Sequence, residues 1–342
     1  MAEKQPFTTE LIARLAVERG IAVSLEPTYG HVGQLVLPNG RRCSFSNTSI
    51  DANAFGSAEL ARDKAYALHF LRAAGLPTVE SQTFFAPRWA RAMASDRTPS
   101  AALSYARTVG FPVYVKPNHL CQGREVYCTD DANAFMEAVG RIVQLDRVFL
   151  VQRPVVGRDL RVVVVGDVVA LAYERFPVAV VGDGTATIAM LLHAKRRALR
   201  DQHRHVKLRT NDVRIDACLL RQGLRRTSVP TASTRVPLLD VVNCSTGGDA
   251  MDCTDTLNPS LRDLAVCATH SLGLSFAGVD IIVAEDGSAT LLEVNASPGL
   301  EHYARSSDTA MARVEACYRL VLERLCRGVD VLSPVALPGR IL

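Results

Sequence analysis

The stretch FAGVDIIVAEDGSATLLEVNASPGL, residues 276–300, predicts a β-hairpin. Residues 279–284 and 289–295 are rich in β-branched side chains, and the sequence Glu-Asp-Gly-Ser at 285–288 is typical of a short turn between two strands. If this loop closes symmetrically, Ala284 faces Ala289. Counting back along both strands then puts Asp280 opposite Glu293.

The predicted hairpin carries acidic residues on one face. Side chains alternate between the two faces of a strand, so Leu291, Glu293 and Asn295 are expected to share a face with Asp280 and Ile282. Carboxylates on a half-buried sheet repel each other unless a cation neutralises them. Two carboxylates and an amide oxygen suit Mg²⁺ that is also bound by substrate phosphates. We therefore predict a metal site here, and the alternative is a solvated acidic hairpin.

Composition limits the class of protein. The chain has 342 residues, 48% hydrophobic and 22% charged, which is long enough for two or three globular domains. A net charge of +4 and 6% aromatic residues give no reason to expect nucleic acid as a partner. No apolar run is long enough to cross a membrane, and nine cysteines without a CxxC pair are typical of reduced thiols. We expect a cytoplasmic protein with no nucleic-acid or membrane partner, and a homodimer remains open.

Two further segments carry signals for phosphate binding. Lys116 ends a predicted strand and is followed by a loop with Gly123 and Arg124, so point charges and backbone N–H groups can hold phosphates there. The alternative is an ordinary surface lysine. The sequence Asn-Cys-Ser-Thr-Gly-Gly at 243–248 can wrap an anion with backbone donors, and the alternative is a plain surface turn.

Periodicity and turn signals predict the remaining elements. The predicted helices lie at 8–19, 57–74, 98–108, 132–145, 188–204, 260–271 and 308–326, and the principal strands before the hairpin at 21–25, 32–37, 42–46, 113–116, 125–128, 148–152, 160–165 and 168–174. Ser57 is the predicted N-cap of the second helix. Residues 209–230 are polar and give no clear pattern.

Taken in order, these features resemble the ATP-grasp superfamily, in particular the ATP-grasp modules of cyanophycin synthetase and bifunctional glutathione synthetase. The resemblance spans 59–305 and rests on ELARDKAYALHFLRAAGLPTVE, KPNHLCQGREV, GRDLRVVVVGDVVALAYERFP, GDGTATI, NCSTGGDAMDCTD and GVDIIV with LLEVNASPGL. It implies an α+β ATP-grasp fold that holds a nucleotide between two α+β subdomains. The expected division is a short N-terminal α/β region at 1–56, a lid subdomain at 57–148 and a C-terminal catalytic subdomain at 149–342.

By position, the resemblance also implies the roles of individual residues. The implied ATP-binding residues are Lys64 and Lys116 on the phosphates, Gly123 and Arg124 in the lid, Gln152, Arg153 and Val155 in the adenine hinge, Asp159 on the ribose and Leu291 beside the adenine. The implied catalytic residues are Arg161, Arg175 and Asn243, and the implied Mg²⁺ ligands are Asp280, Glu293 and Asn295. The chain departs from the family at Leu120 and Glu125, where the relatives have more glycine, which leaves the mobility of the lid open. At Gln152 many members have glutamate, and a glutamine carbonyl can still accept the bond from the adenine amino group.

The resemblance implies an ATP-dependent carboxylate–amine ligase for amino acids or small peptides, with an acyl-phosphate intermediate and with ADP and phosphate as products. ATP and Mg²⁺ are then required, and the partners are a small-molecule acid and amine. Two alternatives stay open, a small-molecule kinase of the ATP-grasp type and a non-catalytic ATP-binding module. The chain contains no Gly-Lys-Ser/Thr loop, so it is not a P-loop protein.

Overall fold

The computed structural model describes residues 6–201 and 206–327. Its α helices are α1 (Phe7–Glu18), α2 (Phe55–Arg62), α3 (Lys64–Ala73), α4 (Pro87–Ala92), α5 (Pro99–Val109), α6 (Ala132–Ile142), α7 (Ile188–Asp201), α8 (Val213–Arg221), α9 (Pro259–Ser271), α10 (Glu301–Ala304) and α11 (Asp308–Arg327). Its strands are β1 (Ala22–Leu25), β2 (Val32–Val36), β3 (Arg42–Ser46), β4 (Ser49–Ile50), β5 (Ser81–Phe85), β6 (Val113–Pro117), β7 (Tyr127–Thr129), β8 (Val148–Gln152), β9 (Arg158–Val165), β10 (Val168–Phe176), β11 (Ala179–Val181), β12 (Arg235–Pro237), β13 (Asp249–Asp252), β14 (Phe276–Val283) and β15 (Ala289–Asn295). A short 3₁₀ helix covers Cys244–Thr246.

Two helices replace the single helix predicted at 57–74. The first, α2, follows Ala54 rather than Ser57, and it ends because Asp63 leaves the helical backbone with φ −86° and ψ 101°. The Asp63 carboxylate accepts a hydrogen bond of 2.9 Å from the backbone N–H of Tyr66 and so caps α3. Lys64 is therefore the first residue of a helix rather than an interior one.

Other segments also differ from the predictions, which did not include α4, α10, β4, β5, β11, β12 or β13. The pattern-free segment 209–230 contains α8, which Asp212 caps by accepting a hydrogen bond of 3.0 Å from the N–H of Arg214. The strand predicted at 125–128 begins at Tyr127, so Glu125 remains in the preceding loop. The predicted helix end at Arg204 lies outside the described residues.

The contacts between residues divide the chain into two compact units. The first unit comprises Met1–Thr78, Leu160–Glu174 and Asp252–Leu342, and the second comprises Val79–Asp159 and Arg175–Met251. Each unit is built from separated segments because the chain passes from one to the other four times, once between α3 and β5 and then within β9, β10 and β13. These units differ from the consecutive ranges 1–56, 57–148 and 149–342, whose assignment as functional subdomains stays a prediction.

The first unit contains an N-terminal antiparallel sheet in the order β1-β2-β3-β4, in which the strands predicted at 32–37 and 42–46 pair with each other. Strands β9 and β14 are neighbours in a five-stranded sheet with the order β13-β10-β9-β14-β15. The long helix α11 buries Val314, Tyr318 and Leu322, which recur every four residues and so lie on one face. The unit thus combines sheets with covering helices.

The second unit has two hydrophobic cores. One lies under the antiparallel sheet β5-β8-β6-β7 and consists of Phe84, Ala102, Ala106, Val113, Val115, Phe135, Val139, Ile142, Phe149 and Val151. The other joins α7, α8, β11 and β12 through Val178, Val180, Ile188, Leu192, Leu199, Leu208, Ile215, Leu219, Val236, Leu238 and Leu239. None of the described helices is long and apolar enough to span a membrane.

Candidate active site

The acidic hairpin β14–β15 forms, but it closes one residue earlier than predicted. Ala289 pairs with Val283 rather than with Ala284, and this register continues to Leu291 opposite Ile281. A β-bulge then inserts Leu292, after which Glu293 pairs with Asp280 as predicted. The predicted pairing of the two carboxylates is therefore right, although the symmetric closure that led to it is wrong.

The bulge changes the position of Leu291. Since directly paired residues share a face, Leu291 lies with Ile281 on the face opposite to that of Asp280 and Glu293. Leu291 is fully buried, and its backbone N–H donates a hydrogen bond of 2.8 Å to the carbonyl of Pro77. The prediction that Leu291 shares the face of Glu293 is wrong. The half-buried Leu292 precedes Glu293 directly and is the better candidate for an apolar wall beside the carboxylates.

Each carboxylate of the hairpin has a cationic partner. Arg161, on the neighbouring strand β9, donates from Nε and Nη2 to the two oxygens of Asp280, with 3.0 Å from Nη2 to Oδ2. Lys64, at the start of α3, has its Nζ 3.8 Å from Oε2 of Glu293. Both ion pairs are largely buried, which strengthens their attraction relative to a surface pair. The structure thus brings together residues that the sequence assigned separately to phosphate, catalysis and metal.

Gly278 and Asn53, which the sequence did not single out, support this face. Gly278 lies opposite Asn295, and a Cβ atom there would be 3.0 Å from Nη1 of Arg161 and 2.9 Å from Cβ of Pro298. Asn53 donates from Nδ2 to the carbonyls of Phe276 (2.7 Å) and Ala296 (2.9 Å). Its Oδ1 accepts from two backbone N–H groups at the start of β14. A glycine inside a strand is the sequence signal for the close approach, whereas Asn53 gives no local signal.

The hairpin residues fit Mg²⁺ by the chemistry of their donors. Within 6–201 and 206–327, no group of three or more His, Cys, Asp and Glu side chains is arranged to hold a metal ion. Asp280, Glu293 and Asn295 offer two carboxylates and an amide oxygen, which suits an ion that completes its shell with water and phosphate. The charge of the two carboxylates is balanced by Arg161 and Lys64, so electrostatic repulsion alone does not require a metal here. The metal assignment therefore stays a prediction.

In the second unit, the sheet register places Lys116 and Gln152 on one face. Gln152 on β8 pairs with Tyr114 on β6, and Lys116 is two residues further along β6, opposite Leu150. This face is opposite to the one that contributes Val113, Val115 and Val151 to the core. Lys116 is 6% and Gln152 3% exposed, and Nε2 of Gln152 has no hydrogen-bond partner in the described part of the chain. A buried polar atom of this kind is stabilised by a ligand that accepts its hydrogen bond.

The predicted hinge and ribose residues take different positions. Arg153 is exposed and forms an ion pair of 2.8 Å with Glu80, while Val155 is half-buried. Asp159 is buried and accepts hydrogen bonds on Oδ1 from Nε and Nη2 of Arg175, the former at 2.8 Å. The structure therefore joins the predicted ribose acceptor to one of the predicted catalytic arginines.

Asn243 has a structural role in its turn. Its Oδ1 accepts a hydrogen bond of 2.9 Å from the N–H of Ser245 and caps the 3₁₀ helix. A Cβ atom on Gly123 would be 3.8 Å from Nδ2 of Asn243, so the lid residue and this turn are neighbours. Arg124, beside Gly123, is exposed. Oγ of Ser245 is buried and has no partner among the residues described.

The segment that contains the acidic hairpin is similar to a known protein family. Residues 241–315, which contain the whole acidic hairpin, match the profile of the RimK-like ATP-grasp domain. This part of the chain is thus similar to a RimK-like ATP-grasp domain. The matched range includes Asn243, Asp280, Glu293 and Asn295, whereas Lys64, Lys116 and the predicted hinge lie outside it.

The chain is similar to two kinds of curated protein. Cyanophycin synthetase of Trichormus variabilis (strain ATCC 29413 / PCC 7937) is 33% identical over 309 residues, which are 86% of this chain and 31% of that protein. The bifunctional glutathione biosynthesis protein of Mannheimia succiniciproducens is 34% identical over 190 residues, which are 54% of this chain and 25% of that protein. The chain therefore spans about a third or less of the length of these curated relatives.

Solved structures support the same fold. A bifunctional glutathione synthetase from Pasteurella multocida superposes with a TM-score of 0.57 at 20% identity, over 94% of this chain and 44% of that one. D-alanine–D-alanine ligase from Bacillus anthracis superposes with a TM-score of 0.51 at 14% identity, over 80% of this chain and 70% of that one. These likenesses confirm the predicted α+β ATP-grasp fold.

Proposed function

We propose that the protein is an ATP-dependent carboxylate–amine ligase that acts on amino acids or small peptides. The observation that carries the proposal is the hairpin face on which Lys64, Arg161, Asp280, Glu293 and Asn295 come together. These residues come from α3, β9, β14 and β15, so the fold gathers them from distant parts of the sequence. Two cations beside two carboxylates and an amide suit a reaction in which negative charge moves between phosphate and carboxylate oxygens.

The chemistry explains why such a site is needed. A carboxylate is a poor electrophile, so an amine does not displace its oxygen unaided. In the proposed reaction a carboxylate oxygen attacks the γ-phosphorus of ATP and releases ADP, which gives an acyl-phosphate. The amine nitrogen then attacks the acyl carbon, the C–O bond breaks with release of phosphate, and the nitrogen loses a proton to form the amide.

The roles proposed for the residues follow from their charges. Lys64 and Lys116 bind phosphate oxygens, and Arg161 and Arg175 neutralise charge while also held by Asp280 and Asp159. Gly123 and Arg124 belong to the lid. Gln152, Arg153, Val155 and Asp159 hold the nucleoside. Mg²⁺ bound by Asp280, Glu293 and Asn295 would supply charge neutralisation at the transferred phosphoryl group.

The comparisons support the proposal. The relatives and fold neighbours are named as synthetases, ligases or a biosynthetic protein, and D-alanine–D-alanine ligase is named for joining two amino acids. The nine cysteines, none of them in a disulfide, are consistent with the proposed cytoplasmic location.

The test is ADP formation that requires both an acid and an amine. Pairs of amino acids and dipeptides are incubated with ATP and Mg²⁺, and the products are identified by mass. With ¹⁸O in the acid, the released phosphate is expected to carry the label. ADP formation with an acid alone and a stable phosphorylated product would indicate a kinase, AMP as product would contradict the acyl-phosphate, and ATP binding without turnover would indicate a non-catalytic module.

A pair of lysine variants tests the phosphate contact within this assay. Lys116→Ala should weaken ATP binding about ten- to a hundredfold, because a charge-assisted hydrogen bond contributes roughly 1.5–3 kcal/mol. Lys195→Ala is the matched control, since Lys195 lies on α7 with its Nζ 3.8 Å from Asp249. Calorimetric titration with ATP measures both. Equal affinities of the two variants for ATP would contradict the proposal that Lys116 binds its phosphates.

A further inference from the structure

The loop from Cys121 to Val126, called the lid loop below, has an unusual backbone for its sequence. Three of its residues have left-handed φ angles, 60° at Gln122, 67° at Gly123 and 54° at Glu125. Glycine adopts this region readily, but glutamine and glutamate do not. Within the loop, the N–H of Arg124 donates to the carbonyl of Cys121 at 3.2 Å. Contacts from outside the loop must therefore hold much of its conformation.

Arg214 provides such contacts. Its Nη1 donates to the carbonyl of Gly123 at 2.7 Å and reaches the carbonyl of Val126 at 3.4 Å. The guanidinium also lies 5.9 Å from the centre of the Tyr127 ring, just after the loop. One side chain thus spans the C-terminal half of the lid loop.

Arg214 is itself held by Asp212. Nε of Arg214 is 3.0 Å from Oδ1 and Nη2 is 2.7 Å from Oδ2 of Asp212, which is the paired geometry of a guanidinium and a carboxylate. Burial by itself raises the pKa of Asp212, but the hydrogen bond and charge of Arg214 outweigh it and keep that pKa below its ordinary value. The carboxylate is therefore charged at neutral pH and fixes the guanidinium.

The helix that carries Arg214 is anchored in a different core from the lid loop. Ile215 and Leu219 of α8 are fully buried in the core of α7, α8, β11 and β12. The lid loop instead connects β6 and β7 of the four-stranded sheet, whose core includes Val113 and Val115. Two smaller contacts accompany the link. Lys207 Nζ donates to the side-chain Oε1 of Gln122, and a Cβ atom on Gly123 would be 2.8 Å from Cγ1 of Val241.

We propose that Arg214, oriented by Asp212, is a positioning residue that fixes the lid loop in its left-handed conformation. This inference rests on the proposed function in one respect, namely that the lid loop serves ATP. A loop that is fixed before ATP arrives loses less conformational freedom on binding. The latch formed by Arg214 and Asp212 thus compensates for the scarcity of glycine in this lid.

Limited trypsin digestion in the absence of nucleotide tests the latch directly. Arg124 is exposed within the lid loop, and cleavage after it requires the loop to leave its folded conformation. Cleavage between Arg124 and Glu125, identified by the mass of the fragment that begins at Glu125, should be about tenfold faster in Arg214→Ala than in the wild type. Cleavage at the wild-type rate would overturn the proposal.

Two further variants separate the latch from general stability. Asp212→Asn keeps an N-cap acceptor for α8 but removes the charge that holds Arg214, so its cleavage at Arg124 should also be faster. Arg221→Ala is the matched control, because Arg221 lies on the same helix and its hydrogen bonds go to Cys128, Asp130 and Asp240, which are outside the lid loop. Arg221→Ala should be cleaved at Arg124 no faster than the wild type. If Arg214→Ala fails to fold, Asp212→Asn decides, and its cleavage at the wild-type rate would overturn the proposal.

Arg214→Ala is expected to fold because its side chain lines an existing space. The cavity has a volume of about 210 Å³ and is also lined by Tyr127, Arg141 and Arg221. Shortening Arg214 therefore enlarges an opening rather than leaving a void in a packed core.

Kinetics then show what the latch does for ATP. In the ADP assay, Arg214→Ala should raise KM for ATP about tenfold with a smaller change in kcat, and Arg214→Lys should recover part of the loss through one carbonyl contact. An unchanged KM together with faster cleavage would contradict the role in ATP binding. If the wild type forms no ADP with any acid and amine, the proposed function fails, while the digestion result still decides whether the latch exists.

Discussion

At the scale of single residues, the two carboxylates of the hairpin are held differently. Asp280 is 5% exposed and receives two donors from Arg161. Glu293 has a side chain that is 20% exposed, and its Oε2 lies 3.8 Å from Nζ of Lys64. Removing the charge of Asp280 therefore breaks a buried pair that is joined by two hydrogen bonds, whereas removing that of Glu293 loses one longer contact with Lys64.

This difference decides which variant tests the metal hypothesis. Glu293→Gln should lower ADP formation at least about tenfold, since a hydrogen bond to a charged group contributes roughly 1.5–3 kcal/mol, with little change in Tm. Asp280→Asn should lose activity as well, but with destabilisation of up to about 3–5 kcal/mol from the broken buried pair. Turnover with a Mg²⁺ titration and thermal unfolding are measured together. Wild-type turnover in Glu293→Gln at saturating Mg²⁺ would contradict the assignment.

The sequence alone was sufficient to predict the partners of some of these residues but not of others. The pairing of Asp280 with Glu293 could be predicted because it depends on a local turn and on alternation along two adjacent strands. The ion pair of Asp280 with Arg161 could not, since the partners are 119 residues apart and meet only when β9 lies beside β14. The position of Leu291 was predicted wrongly because no residue type in this strand indicates a bulge at Leu292.

At the scale of elements, Asn53 links the N-terminal region to the acidic hairpin. Its side chain makes four hydrogen bonds, two from Nδ2 to the carbonyls of Phe276 and Ala296, and two on Oδ1 from the N–H groups of Ser275 and Phe276. Ser49 makes a weaker link, with Oγ 3.1 Å from Oγ of Ser297 at an exposed position. The N-terminal region therefore supports both the start of β14 and the loop after Asn295.

Asn53→Ala should lower the free energy of unfolding by at least about 2 kcal/mol, because buried peptide groups left without partners cost roughly 1–3 kcal/mol each. Ser49→Ala, the matched control, should stay within about 0.5 kcal/mol of the wild type. Urea unfolding of both variants provides the comparison. Equal midpoints would show that the link of Asn53 adds nothing to stability.

Two features of the helices could not be predicted from the sequence pattern. The break between α2 and α3 at Asp63 had a local signal, because aspartate is a favoured N-cap, but the continuous apolar spacing on both sides outweighed it. Helix α8 was missed because its nine residues bury just Ile215, Cys218 and Leu219. A helix this short depends on tertiary packing more than on its own sequence pattern.

At the scale of the whole molecule, the nine cysteines fall into groups of different accessibility. Cys121 and Cys267 are exposed, while Cys43, Cys218, Cys244 and Cys317 are buried. Burial raises the pKa of Cys128 to about 11 and the pKa values of Cys218 and Cys317 to about 12. The reactive thiolate of these three is therefore scarce at neutral pH.

Iodoacetamide at neutral pH should modify Cys121 and Cys267 in the native protein at least about tenfold faster than Cys128, Cys218 and Cys317, since each pKa unit changes the thiolate fraction tenfold. In urea all nine should react at similar rates. Peptide mass spectrometry after timed quenching measures each site. Fast native modification of Cys317 would contradict the packing described for α11.

The bulge at Leu292 has a consequence for engineering. The residue pairs between the turn and the bulge are offset by one residue from those beyond the bulge. The pairing that closes the turn therefore does not determine the pairing of Asp280 with Glu293. The tip, residues 285–288, is exposed, and the ladder from Ile281 to Leu291 separates it from the carboxylates. A reporter peptide can therefore be inserted at the tip, because a change in the length of this exposed loop should leave the positions of Asp280 and Glu293 unchanged.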